Sequence, residues 1–182
     1  MKQQLILTTL LLTLIFIGCE KDNAKPGQVQ TNNDAELITT LGLSFTSADS
    51  SSQFMVQFQD IDGPGGASPI LPDTISLIEG VAYDVDVIIL NEAASPPENI
   101  GAEVAEEAED HLLCFTPSIL DLEVSYQDSV NGLPLGLKTT WKGLNPGTGD
   151  ITIALKHQPG IKNGDCALGD TDVEVVFSFI IN

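Results

Sequence analysis

The chain has 182 residues, with 7 lysines and no arginine against 26 acidic residues, which gives a formal net charge of −19. A chain this acidic repels phosphate backbones and lacks the guanidinium group that binds phosphates through two hydrogen bonds, so the composition excludes a nucleic-acid-binding protein. Its length corresponds to one domain, and 42% of its residues are hydrophobic, which is enough for a packed core.

The first 18 residues are predicted to be an export signal. Lys2 precedes an apolar run at residues 5–17 (LILTTLLLTLIFI), which is too short to span a bilayer and has the length of a secretory signal. The run ends in FIGC at residues 16–19, which resembles the bacterial lipobox, in which the cysteine is lipidated and becomes the new N-terminus. The resemblance implies removal of residues 1–18 and a membrane anchor on Cys19. The alternatives are a plain secretory signal and an uncleaved anchor.

A polar segment follows the cysteine. Residues 19–36 contain Pro26 and Gly27 and show no apolar periodicity, which is typical of a flexible tether. The charged residues directly after Cys19 resemble the export signature of some lipoproteins of Bacteroidota-type bacteria, which reach the outer face of the outer membrane. The other interpretation is an ordinary solvated linker, so the sequence leaves both the periplasmic and the surface face open.

From residue 37 to residue 182 the dominant hydrophobic period is two, which indicates half-buried strands in a single β domain. Glu79-Gly80 joins two of these strands, and its glycine suits the positive φ of a tight hairpin turn. The last strand is apolar on both faces near its end, as expected of a central strand. The segments predicted as about nine strands are residues 37–45, 53–59, 74–78, 81–90, 111–115, 120–126, 137–141, 151–155 and 173–181.

One segment breaks the strand pattern. In residues 96–110 (PPENIGAEVAEEAED), Ile100, Val104 and Ala108 recur every four residues among acidic side chains, which predicts one short acidic helix. The other strands are joined mostly by Gly, Pro and Asn turns, without strand–helix–strand alternation. We therefore expect an all-β fold, an antiparallel β-sandwich (Ig-like), with a meander β-barrel (lipocalin-like) as the alternative.

Six segments of the folded part carry a family resemblance. They are DIDGPGG at residues 60–66, LNE at 90–92, EVAEEAEDH at 103–111, GLPLGLKTTW at 132–141, GTGDITIALKHQPG at 147–160 and DTDVEVVF at 170–177. Together they resemble a group of short bacterial envelope lipoproteins of the Bacteroidota type. The resemblance implies a location in the cell envelope, as an outer-membrane lipoprotein, and a β-rich fold. It implies no particular activity.

Two cysteines remain once Cys19 is assigned to the lipid. Cys114 lies on a predicted strand and Cys166 precedes the last strand. An even pair in an exported protein favours a disulfide between them. The alternative is two unpaired thiols, with Cys114 buried as a small apolar residue.

Two sets of side chains are candidate metal ligands. Asp60 and Asp62 precede a glycine turn, an arrangement that can bring hard oxygen ligands onto Ca²⁺, with Asp73 as a remote third ligand. The alternative is a plain turn, because Asp and Gly are also the commonest turn residues. His111 and His157 lie at predicted strand ends near carboxylates and are candidate ligands of Zn²⁺ or Cu²⁺. Their alternative role is to form hydrogen bonds within the fold. We expect no cofactor, with Ca²⁺ bound by the aspartates as the alternative.

The sequence contains no catalytic signature such as a GxSxG motif or a P-loop, so we expect no enzymatic activity. We expect a lipid-anchored protein that binds or scaffolds a component of the cell envelope through its long loops at residues 60–73 and 91–110. Its partners would be the membrane, through the anchor, and an envelope protein or a small ligand. The alternatives are a carrier of a small apolar ligand inside a β-barrel and a metal-handling lipoprotein.

Overall fold

The computed structural model describes residues 37–63 and 66–182, which form an all-β sandwich. The expected signal peptide, Cys19 and the tether up to residue 36 lie outside the described residues. Among the described helices, none is long and apolar enough to cross a membrane. The elements are β1 (Thr40–Ser47), β2 (Gln53–Gln59), β3 (Ile75–Leu77), β4 (Ala82–Leu90), α1 (Ile100–Glu106), β5 (His111–Pro117), β6 (Leu122–Tyr126), β7 (Ser129–Val130), β8 (Leu133–Pro134), β9 (Lys138–Gly143), β10 (Gly147–His157) and β11 (Asp170–Ile181).

The strands form two stacked sheets. One is five-stranded, in the order β2-β1-β4-β9-β6, and the other is four-stranded, in the order β3-β11-β10-β5, while β7 and β8 form a small separate hairpin. Pairing within the two sheets is antiparallel except between β3 and β11. Both sheets have open edges and do not close into a barrel. The sandwich prediction is therefore confirmed, and the barrel alternative is wrong.

The inward faces of the two sheets share one hydrophobic core. Trp141 of β9 packs edge-on against Phe115 of β5 in the opposite sheet, with 5.9 Å between the ring centroids. The predicted alternation is confirmed in the longest strands, and β11 lies between β3 and β10 as expected. Side chains fill the space between the sheets, so the described residues do not form the barrel interior that the carrier hypothesis assumed. The buried alternate residues include Leu41, Leu43, Phe45, Val85, Val87, Ile89, Ile151, Ile153, Leu155, Phe177, Phe179 and Ile181.

The connection between β3 and β4 differs from the predicted hairpin. Gly80 has a φ of 76°, so the expected turn is present, but β3 and β4 belong to different sheets. The N–H of Glu79 donates to Asn182 O at the chain's C-terminus, and the N–H of Gly80 donates to Gly143 O at the end of β9. The turn therefore carries the chain from one sheet to the other, because its backbone groups are bonded to both.

The acidic helix is shorter than predicted. It spans Ile100–Glu106 instead of residues 96–110, and its buried residues are Ile100 and Val104, as expected. Asn99 begins the helix, because its side chain accepts a hydrogen bond from the N–H of Ala102. The preceding residues cannot extend the helix, since Glu98 pairs with Asn91 across a short β-bridge.

Candidate functional site

Three segments meet at one end of the five-stranded sheet. Thr40 at the start of β1 pairs with Gln59 at the end of β2 and with Leu90 at the end of β4. The chain therefore enters the sheet at this end and leaves it there twice, as it passes into the β2–β3 loop (residues 60–74) and the β4–α1 loop (residues 91–99). We refer to residues 37–39, 60–63, 66–74 and 91–99 as the loop end.

Glu92 connects the segments of the loop end. Its carboxylate accepts hydrogen bonds from the Thr40 hydroxyl and from the side-chain amide of Gln59. Its backbone N–H donates to Thr39 Oγ1 at 2.8 Å. The hydrogen bond from Thr40 and then that from Gln59 hold the pKa of the Glu92 carboxyl below its ordinary value, because both donors favour the ionised form. Glu92 thus ties β1 and β2 to the β4–α1 loop.

The β2–β3 loop forms a groove of about 320 Å³ beside this network. The groove is lined by both polar and apolar side chains. Ile61, Ile70 and Leu71 of this loop are 49%, 60% and 73% exposed. Adjacent apolar side chains that remain exposed in a soluble domain are a common mark of an interaction surface. The groove is lined by Gln59, Asp60, Ile61, Asp62, Ala67, Ser68 and Ile70.

The predicted calcium ligands have different surroundings. Asp62 accepts a hydrogen bond of 2.7 Å from the N–H of Ala67 and so closes the turn. Asp60 Oδ1 is buried and has no hydrogen-bond partner among the described residues. Asp73 is exposed, two residues before β3. Within residues 37–63 and 66–182, no group of three or more His, Cys, Asp or Glu side chains is placed to hold a metal ion. The calcium site stays a prediction.

The two histidines lie together at adjacent strand ends. His111 begins β5 and pairs with His157, which ends β10. Their imidazole rings are stacked, with 4.8 Å between centroids and an interplanar angle of 13°. His111 is buried, and its Nδ1 lies 3.2 Å from Glu107 O. Burial raises the pKa of the nearby Asp172 carboxyl, an effect that the charges of His157 and His111 oppose. The structure thus brings together the two histidines that the sequence named as candidate ligands, and Zn²⁺ or Cu²⁺ binding stays a prediction.

The predicted disulfide is present. Cys114 and Cys166 are bonded, with 5.9 Å between their Cα atoms and a sequence separation of 52. The bond holds the β10–β11 loop (residues 158–169) against β5, where Cys114 packs with Leu112 and Ala154 in a small second cluster.

Further hydrogen bonds fix the same loop. The buried Gln158 side chain donates from Nε2 to Asp165 O at 2.8 Å and to Leu168 O at 2.9 Å. Lys162 Nζ donates to Ala108 O, 2.7 Å away, just beyond the end of α1. Burial lowers the pKa of Lys162, while the charges of Asp128 and Asp110 act in the opposite direction. The β10–β11 loop is thus bonded to β5, to itself and to the segment after α1.

The loop end contains the predicted calcium ligands Asp60, Asp62 and Asp73, but Glu92, which connects its segments, was not among the predicted site residues. The signal for Glu92 is an acidic residue directly after an apolar strand, together with two threonines, Thr39 and Thr40, at the start of another strand. Nothing in the sequence indicates that these positions are adjacent. Comparison of the chain with protein-family models, curated proteins and solved structures finds no match, so the resemblance to envelope lipoproteins stays a prediction.

Proposed function

We propose that this protein is a non-enzymatic cell-envelope lipoprotein that binds or scaffolds an envelope component through its loop end. The observation that supports the proposal best is the exposure of Ile61, Ile70 and Leu71 beside a groove on a rigid sheet frame. Binding residues are concentrated on loops that a rigid scaffold positions. Apolar side chains around a partly polar groove suit a partner that is itself amphipathic.

The position of the chain's N-terminal side adds to this proposal. Residues 37–39 belong to the loop end, so the segment that carries Cys19 joins the domain beside the proposed binding surface. A fully extended chain spans at most about 3.6 Å per residue, so residues 19–36 limit the distance from Cys19 to Leu37 to about 65 Å. We infer that the partner is a component of the same membrane or lies close to it.

The anchor is tested separately from binding. The full chain, expressed in a bacterium that processes lipoproteins, is labelled with a clickable palmitate analogue and fractionated. We expect label and membrane association in the wild type, and loss of both in Cys19→Ser. An unlabelled wild-type protein in the soluble fraction would refute the lipid anchor but would leave the binding surface untested, so that surface needs its own experiment.

The binding surface is tested with matched variants. The pair Ile61→Ser and Leu71→Ser removes two exposed apolar side chains from the loop end. Leu120→Ser is the control, since Leu120 is 95% exposed and lies at the opposite end of the sheet. Two residues later, Leu122 pairs with Gly143, which lies near the start of β4 and so far from the loop end. After chemical cross-linking in intact cells, we expect a defined cross-linked product with wild type and Leu120→Ser and a strongly reduced one with the double variant. An equal yield in all three would refute binding through this surface.

A further inference from the structure

The outer edge of β2 carries backbone groups that point away from the sheet. The residues that flank β2 show which of its positions face β1: Asp60 donates from its N–H to Thr39 O, and Ser52 O accepts from the N–H of Ser47. The even-numbered residues from 52 to 60 therefore bond to β1. Gln59 is odd-numbered, and both its N–H and its C=O bond outward to Ile70. By the same alternation, Gln53, Met55 and Gln57 direct their N–H and C=O groups to the outer edge. In the described part of the chain, no strand pairs with those three residues.

This edge lacks the usual protection against pairing with another strand. β2 (QFMVQFQ) has no charged residue and no proline, in a chain of net charge −19. Natural edge strands are commonly protected by charges, prolines or very short length. The other sheet edges have such features: β6 contains Glu123, β5 contains Pro117, and β3 has only three residues.

The edge-facing positions are also symmetric. Gln53 and Gln57 lie two residues to either side of Met55. We propose that β2 pairs antiparallel with β2 of a second copy of this chain, about a two-fold axis at Met55. Gln53 then faces Gln57 of the other copy, and Met55 faces its own equivalent. This register pairs the edge groups of all three residues and forms about six backbone hydrogen bonds between the copies.

The uncharged edge permits a second copy to approach, and sterics favour this register. Two chains that each carry −19 approach at the lowest electrostatic cost along an uncharged edge. A register shifted toward the β2–β3 loop is blocked, because Ile70 already occupies the edge outside Gln59. In the symmetric register, Asp49 in the turn before β2 approaches Asp60 of the other copy. These like charges weaken the dimer, and salt screens their repulsion.

The first test is the oligomeric state. Residues 35–182 form a compact unit that contains the described core, so this domain is suitable for solution measurements. Sedimentation velocity up to about 1 mM protein covers the weak range expected of so small a contact. We expect a monomer–dimer equilibrium that shifts toward dimer when NaCl is raised. A monomer at every concentration and salt level would overturn the proposal.

A matched pair of substitutions locates the contact. Met55→Lys places two like charges opposite each other on the axis and should weaken dimerisation by at least about tenfold. Val176→Lys is the control, because Val176 lies on β11 in the other sheet and its side chain is as exposed as that of Met55, at 54% against 55%. Circular dichroism and thermal melting verify that both variants fold. Equal weakening by both substitutions, or weakening by neither, would overturn the assignment to β2.

Cysteine cross-linking tests the register without relying on Met55→Lys. Cys114 and Cys166 are bonded to each other, so an added cysteine in the 35–182 domain is the one free thiol among the described residues. Oxidation should convert Met55→Cys to a covalent dimer, whereas Gln57→Cys should stay monomeric, because the two copies of residue 57 lie about 14 Å apart along the paired strands. The reverse pattern, or equal yields, would overturn the proposed axis.

The segment before the domain is the remaining alternative occupant of the β2 edge. A 20–182 chain adds the predicted tether, and we expect it to dimerise as the 35–182 domain does. If only the shorter domain dimerises, the tether covers β2 in the mature protein and the proposal is overturned. These tests do not depend on the lipid anchor or on the loop-end partner.

Discussion

The β2–β3 loop and the β10–β11 loop are both long connections, but they are fixed to different degrees. The β10–β11 loop is held by the Cys114–Cys166 bond and by the buried Gln158 side chain. The β2–β3 loop has no covalent link among its described residues and exposes Ile61, Ile70 and Leu71. Polar and covalent contacts hold the β10–β11 loop, although its Ile161 is 52% exposed, whereas the β2–β3 loop carries the three exposed apolar side chains of the proposed binding surface. Loop length alone therefore does not identify a binding loop.

The largest expected effect comes from removing the disulfide. The sequence separation of 52 corresponds to a chain-entropy contribution of about 4 kcal/mol, so the double variant Cys114→Ala, Cys166→Ala should lose stability on that order. Urea denaturation of the 35–182 domain measures the loss. A change below about 1 kcal/mol would mean that hydrogen bonds alone hold the β10–β11 loop, and the contrast between the loops would weaken.

A bound Ca²⁺ ion would cross-link the β2–β3 loop, which has no covalent link among its described residues. If Asp60 and Asp62 bind the ion, Ca²⁺ at a hundredfold excess over its Kd should stabilise the chelator-treated domain by about 2.7 kcal/mol, and Asp62→Ala should abolish the shift. Thermal unfolding with Ca²⁺, Zn²⁺ and Cu²⁺ measures this. No shift with any ion would leave Asp62 as a turn residue, in keeping with its bond to Ala67, and would leave the histidines as packing residues.

Gln158→Ala should lower the free energy of unfolding by about 1–3 kcal/mol, because it leaves the carbonyl groups of Asp165 and Leu168 without their shared donor. Gln127→Ala is the control, since Gln127 is exposed on the surface and its replacement should be nearly neutral. Both losses are read from urea denaturation at neutral pH. Equal effects of the two substitutions would show that the Gln158 hydrogen bonds do not stabilise the β10–β11 loop.

Glu92 predicts a pH dependence of the loop end. Its pKa is lowered in the folded state, so its contribution to the free energy of unfolding is complete above its ordinary pKa and is lost as the pH falls through the lowered value. Glu92→Gln should therefore be less stable than wild type at pH 7, and the difference should shrink in acid. Glu123→Gln on the exposed side of β6 is the control. A difference independent of pH would contradict the Glu92 network.

Leu71→Ser should have the smallest effect. Its free energy of unfolding should stay within about 0.5 kcal/mol of wild type, because the side chain is mostly exposed. Thermal melting measures it. A loss of several degrees would mean that Leu71 packs against the domain in solution, which would remove it from the proposed binding surface.

Part of the fold was predictable because it depends on local pattern. The period of two correctly predicted which faces of β1, β4, β10 and β11 are buried, and the spacing of Ile100 and Val104 correctly predicted the buried face of α1. The two cysteines left after Cys19 correctly predicted the disulfide. The anchor at Cys19 and the envelope location stay predictions, because residues 1–36 lie outside the described structure.

The sequence by itself determined the alternation of the longest strands, the all-β class and the cysteine pair, because each follows from the types and spacing of residues along the chain. Only the tertiary structure decided that β3 pairs with β11, where Ile75 faces Phe179, and not with β4. It also brought Glu92 to Thr40 and Lys162 to the carbonyl of Ala108. Such contacts join residues far apart in sequence, and hydrophobic periodicity is a property of one segment that carries no information about its neighbour in space.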